Sequence, residues 1–227
     1  MKLSSYASRD CWIIGLTGLA LVAVVCALKW WLVIIPIAIV TLGLLAFFRD
    51  PEREAPVRRN IMIAPADGVI SSVHELEHFE PFGEGASVIR IFLSVLDVHV
   101  NRSPCYGMVG PITVKPGKYL NAMKPESAEV NAWSMFPILH PTKKTPVAAV
   151  RQVAGMIART IVCAAKEGDI LQRGERFGII KMGSTAEVYV PKSHAPKVLI
   201  QKGQRVWGGV TEIFEVTPPG QLEGDKQ

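Results

Sequence analysis

A Gly183-Ser184-Thr185 triplet stands between two strand-like runs, Ile179-Ile180 and Val188-Tyr189-Val190. In isolation it is an ordinary hairpin turn. It is not a nucleophile elbow, because Ala186 stands where that motif has glycine and no helical pattern follows. A second segment, Leu96-Asp97-Val98-His99-Val100-Asn101-Arg102, ends an apolar strand expected over 87–96. Strand alternation there puts Asp97, His99 and Asn101 on one face. The plain reading is a polar strand end, but an Asp-x-His pair can also hold an imidazole in one tautomer for acid/base work. The third segment is Ala64-Pro65-Ala66-Asp67-Gly68-Val69-Ile70, where an aspartate before glycine most simply bonds its own turn backbone. His74, His78, His140 and His194 lack ligand spacing, and Cys11, Cys26, Cys105 and Cys163 form no CxxC pair. The sequence therefore predicts no metal site and no disulfide framework, in a reducing compartment.

The elements that must position these side chains read as short strands. Runs of strand length recur at 61–63, 69–70, 87–96, 110–114, 147–153, 157–162, 186–190 and 210–216. Turn signals fall at Asp67-Gly68, Pro116-Gly117, Gly168-Asp169 and Gly208-Gly209. The stretch 119–144, with Trp133 and with Pro125, Pro137 and Pro141, breaks the rhythm and reads as a long loop with at most a short helix. Loops of that length are uncommon unless functional. Lys166 to Gly174 and Ile200 to Gly208 each set two glycines, six or five positions apart, around a short apolar pair. That spacing resembles the hairpins of lipoyl- or biotinyl-type barrels and sandwiches. The expected fold of residues 51–217 is mostly β (a β-rich α+β domain) with lipoyl or barrel-sandwich-like hairpins, followed by a polar tail at 218–227.

Residues 1–50 are of another kind. The mean hydropathy of the chain is +0.26, and the excess is local: residues 11–48 hold 31 apolar residues out of 38. Two apolar stretches, 12–28 and 30–48, are divided by the single Lys29. As one helix they would run roughly 55 Å, well past a hydrocarbon core of about 30 Å. A transmembrane helical hairpin turning near Lys29-Trp30-Trp31 fits better, with the lysine and tryptophans at one interface. A shallow re-entrant hairpin and a single tilted span are the alternatives. A signal peptide fails on length and on the missing small-residue cleavage site. Lys2 and Arg9 precede the first stretch and Arg49, Arg53, Arg58 and Arg59 follow the second, which puts both ends in the cytoplasm. The net charge of +5, without basic runs interleaved with aromatics, is no nucleic-acid signature.

Together, the hairpin, Ala66-Asp67-Gly68, the Asp97 to Arg102 segment and the late Gly183-Ser184-Thr185 resemble the phosphatidylserine decarboxylases. The likeness is to their short branch of pyruvoyl-dependent proenzymes, in motif order as well as content, over roughly residues 47–216. Members of that family cut their own chain between the Gly and Ser of this triplet. The resemblance implies a β chain of residues 1–183, an α chain of residues 184–227, and a covalent pyruvoyl group derived from Ser184. Ser184 Oγ would attack the Gly183 carbonyl, which glycine leaves sterically open. The β-oxygen of serine then permits elimination and formation of the pyruvoyl group. By the same resemblance His99 is the base for Ser184 and the donor that returns a proton to the substrate, and Asp67 orients or polarises it. The pyruvoyl group would serve as electron sink when carbon dioxide leaves phosphatidylserine to give phosphatidylethanolamine.

The implied partners are phosphatidylserine and the lipid bilayer, on the cytoplasmic side of a bacterial inner membrane. Arg53, Arg58 and Arg59 would attract its anionic surface. A homodimer is left open. Two departures bear on the site: Asn131-Ala132-Trp133 replaces the family's Asn-Glu-Arg-type stretch, and Arg102 replaces a second histidine found in the longer branch. The alternative functions are a membrane-tethered, lipoyl-like binding or adaptor protein that does not process itself, and a Ser-His-Asp lipid hydrolase. The first gives no reason for Gly183-Ser184 and His99 to occur together, and the second lacks an elbow and a glycine-rich oxyanion loop.

Overall fold

The computed structural model of the chain describes residues 2–58, 60–120, 127–156, 160–181 and 183–217. It divides into two compact units, Met1–Glu52 and Arg53–Gln227.

In the first unit, helix α1 (Ser8–Ala27) and helix α2 (Ile34–Phe47) form a hairpin. Both are predominantly apolar, Pro36 falls in the first turn of α2 where its missing N–H is tolerated, and Lys29, at φ 60°, makes the reversal between them. The helices come close where Gly18 faces Thr41; a Cβ at Gly18 would lie 2.7 Å from the threonine side chain. The far ends are tied by the main chain, with Ser4 N–H donating to Phe48 O at 2.8 Å and Asp50 N–H to Lys2 O at 2.9 Å. Large apolar side chains point outward, among them Trp12, Leu19, Trp30, Trp31 and Ile39. Residues Ser5–Ala27 are long and apolar enough to cross a membrane, and Trp31–Phe47 is shorter.

The second unit is mostly β. Its strands are β1 (Ile61–Ile63), β2 (Gly68–Phe79), β3 (Glu84–Leu93), β4 (Val100–Arg102), β5 (Gly107–Val109), β6 (Thr113–Lys115), β7 (Trp133–Leu139) and β8 (Pro146–Val153). They continue with β9 (Ile161–Cys163), β10 (Ile170–Leu171), β11 (Arg176–Ile180), β12 (Ser184–Pro191), β13 (Lys197–Val198), β14 (Arg205–Val206) and β15 (Glu212–Glu215). Among the described residues the large sheet runs β10-β5-β7-β8-β12-β3-β2-β14, with β6 also on β7. Two smaller sheets run β1-β15-β13 and β4-β11-β9. The apolar core draws on all three, including Met62, Ile89, Ile91, Phe136, Phe177, Val188 and Phe214. Strand β12 is central and buried along its whole length, between β3 and β8.

The expected long loop over 119–144 contains β7, whose burial alternates along Trp133–Leu139. Pro137 argues against a strand on sequence grounds, since proline lacks the ladder N–H. The register explains why it fits. Pro137 O accepts from Gly110 N–H at 2.8 Å, on the side where the partner changes from β5, ending at Val109, to β6, starting at Thr113. The missing N–H points into that break. The expected strand over 87–96 likewise stops early: β3 ends at Leu93, and Asp97 closes a turn by accepting from Ser94 N–H at 2.8 Å. Arg59, residues 157–159 of one expected strand, and the tail 218–227 lie outside the described residues.

The two glycine-spaced segments contain three copies of one turn: Lys166-Glu167-Gly168-Asp169, Gln172-Arg173-Gly174-Glu175 and Gln201-Lys202-Gly203-Gln204. In each, the fourth residue's N–H donates to the first residue's carbonyl, and its side chain accepts from the first residue's N–H at 2.7, 2.7 and 3.1 Å. The third position has φ of 90°, 83° and 87°, which requires glycine in this turn.

Candidate active site

Ser184 opens β12, opposite Leu93 of β3, and is fully buried. Its Oγ has no hydrogen-bond partner among the described residues. A sealed, unpartnered hydroxyl costs on the order of 1–3 kcal/mol, so an orphan here invites a functional explanation. The residue before it, Gly183, has φ +61°, and a Cβ there would meet nothing within 4 Å. Backbone conformation, not crowding, favours glycine at that position.

His99 reaches this point because β4 pairs with β11: Val100 stands opposite Ile179, and Ile180 N–H donates to His99 O at 3.2 Å. The chain then runs from β11 through Gly183 into β12, returning past the imidazole. His99 is fully buried. Its Nδ1 lies 2.9 Å from the Asp97 main-chain carbonyl, which can only accept, so Nδ1 carries the proton. Its Nε2 accepts from Gly183 N–H at 3.3 Å. The ring is thus a neutral base whose lone pair faces the Gly183-Ser184 junction.

The structure brings Gly183, Ser184 and His99 together. Asp67 lies in an ion pair with Arg53, through Nη1 to Oδ1 and through Nη2 to Oδ2 at 2.8 Å. Gly208 N–H donates to Asp67 Oδ1 at 2.8 Å, and Arg53 Nη1 donates to Gly208 O at 2.5 Å. Gly208 passes so close that a Cβ would sit 2.8 Å from the Ala66 main chain. The Asp97 carboxylate is also taken, by Ser94 N–H and by Arg205 Nη2. Sequence alternation paired the wrong part of Asp97 with the histidine: the main chain makes the contact. The arginines expected to meet a lipid surface are engaged as well, Arg53 with Asp67 and Arg58 with Glu212 and Glu215.

Of the two departures from the family pattern, Arg102 is buried and donates to Gly174 O at 3.1 Å. Asn131 orders the chain around Ala132: its Nδ2 donates to Leu120 O at 2.9 Å and Ala154 O at 2.8 Å, and its Oδ1 accepts from Leu120 N–H at 2.8 Å.

Two features were not anticipated from the sequence. On the face of β12 away from the core, buried Glu187 accepts from Arg151 Nε at 2.7 Å and from the Tyr189 hydroxyl at 2.5 Å, and lies 3.4 Å from Arg90 Nε. Burial, reinforced by the Glu187 charge, drives the Tyr189 hydroxyl far above its ordinary range and keeps it a donor. Burial also lowers the Arg90 pKa from its ordinary value, an effect opposed by Glu187. Alternating Arg and Glu on facing strands was the available signal. The second feature is a recess of about 410 Å³ whose lining includes Lys115, Trp133, Ser134, Ala154 and Cys163.

A family model described as phosphatidylserine decarboxylase matches residues 41–213. The chain is similar to a protein from Granulibacter bethesdensis, 43% identical over 204 residues covering 88% of this chain and 82% of that one. It is similar to one from Carboxydothermus hydrogenoformans, 41% identical with 88% and 92% covered. A third, from Erythrobacter litoralis, is 37% identical with 94% and 89% covered. Each of the three is named as a phosphatidylserine decarboxylase proenzyme.

Proposed function

The chain belongs to the phosphatidylserine decarboxylase family, and from that premise we propose that it makes its own pyruvoyl group from Ser184 and uses it on a lipid at the bilayer surface. Its reaction converts phosphatidylserine to phosphatidylethanolamine and carbon dioxide. One observation carries the proposal for the group: Ser184 Oγ is sealed and unpartnered directly after a left-handed glycine whose N–H rests on a neutral histidine.

The cut follows from these groups. His99 Nε2 exchanges the Gly183 N–H for the Ser184 hydroxyl and takes its proton. Oγ bonds to the Gly183 carbonyl carbon, the Gly183–Ser184 C–N bond breaks, and the nitrogen gains a proton, leaving an ester. Loss of the Ser184 α-proton then expels Gly183 as a carboxylate. Water replaces the resulting nitrogen as ammonia and leaves a pyruvoyl group at position 184. When present, that group supplies an electron sink for the decarboxylation. His99, held by Asp97 O, would donate the proton that replaces carbon dioxide. Asp67 supports the site by fixing Arg53 and Gly208.

Helices α1 and α2 are read as crossing the inner membrane with both ends cytoplasmic. The outward apolar side chains and the 23-residue Ser5–Ala27 stretch support this reading. The three matching glycine turns support lipoyl-type hairpins in the catalytic unit.

The test is a denaturing gel with a lipid assay. The purified wild-type chain should give fragments of about 20 and 5 kDa, by proportion of 24.8 kDa, and convert phosphatidylserine vesicles to phosphatidylethanolamine. Ser184→Ala should give one band and no product. A folded, uncut and active wild-type chain would overturn the proposal.

A further inference from the structure

The recess near Ser184 is placed by register. Thr185 of β12 pairs with Val153 of β8, and Val153 with Trp133 of β7. One step along, Ala154 N–H donates to Ala132 O at 2.9 Å. Ala154 is therefore one strand from Ser184 and Ala132 two, roughly 5 and 10 Å at ordinary strand spacing. Both line the recess. Its remaining walls include Ile112, Val114 and Trp133; Lys115 is exposed at its edge.

Ser134 also lines it, and its hydroxyl is buried there beside the Cys163 thiol, with which it hydrogen-bonds. Among those lining residues none is acidic. A buried hydroxyl, an ammonium group and apolar walls suit a group that carries negative charge, only accepts hydrogen bonds and continues into hydrocarbon. In a serine phospholipid the phosphorus is three bonds from the α-carbon. A substrate whose amine reacts at position 184 has its α-carbon two bonds and its phosphorus five bonds from the carbon there, which brings the strands of Ala154 and Ala132 within its reach.

Resting on the function proposed above, we propose that this recess is the subsite for the headgroup phosphodiester, with Ser134 Oγ as its buried donor and Lys115 as its cation. Ser134 and Lys115 are then specificity-determining residues, and they take no part in the cut.

Cys163 lines the same recess and is half-buried, so its alkylation reports occupancy without reporting activity. Processed full-length enzyme in detergent is treated with N-ethylmaleimide, and modification of Cys163 is followed by peptide mass spectrometry. Glycerophosphoserine should slow it, whereas serine or inorganic phosphate at equal concentration should not. Ser134→Ala and Lys115→Gln should abolish protection and raise KM for phosphatidylserine about ten-fold, the scale of a lost charged hydrogen bond. Self-cleavage should stay complete and kcat should stay within about two-fold. Should Ser134→Ala not fold, Lys115→Gln and the wild-type protection pattern decide. Equal protection by phosphate, protection by serine, or no protection with KM unchanged overturns the subsite while leaving the decarboxylase intact. A wild-type chain that cuts itself but makes no phosphatidylethanolamine removes the function, and this subsite with it.

Discussion

The N–H of Gly183 donates to Nε2 of His99 across 3.3 Å, so the imidazole's lone pair is held by the residue that precedes Ser184. The Ser184 hydroxyl has no hydrogen-bond partner among the described residues. The cut proposed above exchanges the Gly183 N–H for that hydroxyl at Nε2.

Gly183→Ala tests that exchange. The new methyl meets no atom within 4 Å, so its cost is conformational, about 1–2 kcal/mol for an L-residue at φ +61°. Relaxing φ moves the N–H off His99. The variant should fold, with a denaturation midpoint close to wild type, and accumulate as uncut chain in a time course on a denaturing gel. Cutting at the wild-type rate would show that the left-handed turn is not needed.

Asp67 and Arg53 form a largely buried pair. Removing one partner of such a pair costs about 3–5 kcal/mol, so Asp67→Asn and Arg53→Gln should each lower stability by up to about that amount. The double variant should lose less than the sum, with a coupling of at least about 1 kcal/mol in chemical denaturation. Cleavage that recovers in the double variant marks Asp67 as a positioning residue. Cleavage lost in both Asp67 variants, but not in Arg53→Gln, marks a direct action on His99.

Glu187 faces two arginines and Tyr189 from the central strand. Glu187→Ala leaves uncompensated positive charge and should cost about 3–5 kcal/mol in unfolding free energy. After cleavage the fragment starting at Ser184 should separate from the larger one at lower denaturant than in wild type, as read by size exclusion. Glu187→Gln, which keeps acceptor capacity, should fall between the two.

Burial lowers the pKa of His194 from its usual 6.5, against a smaller opposing effect of Glu84. Below about pH 6.5 the unfolded chain binds a proton that the folded chain resists. The contribution of His194 to stability is therefore complete above that pH and declines as pH falls toward the lowered folded-state value. His194→Gln should show a flatter dependence of denaturation midpoint on pH between about 5 and 7 than wild type. Parallel curves would exclude His194 as a source of acid sensitivity.

Local pattern carried much of this molecule. The apolar hairpin and the strand character of residues after Ile61 are readable from short stretches, whereas His99 and the Gly183-Ser184 pair stood out through motif order and the family resemblance, since each alone reads as a turn or a polar strand end. What could not be read was pairing. Pro137 looks like a strand breaker until its missing N–H is set against the switch from β5 to β6. Asp97 looks like a carboxylate partner for His99 because alternation places side chains, whereas the contact is made by a main-chain carbonyl after a turn. Arg53 and Arg58 look free because their partners, Asp67, Glu212 and Glu215, lie 14 to 157 positions away.

The central place of β12 also sets a clock. The sheet has no slot for Ser184 until β3 and β8 flank it, and the core is not closed until β15, near the end of the described chain, pairs with β1. Neither the seal around Ser184 nor the approach of His99 can therefore assemble while β12 and β15 are missing from a growing chain. On the function proposed above, a product truncated before β15 lacks the finished sheets on which the cut depends.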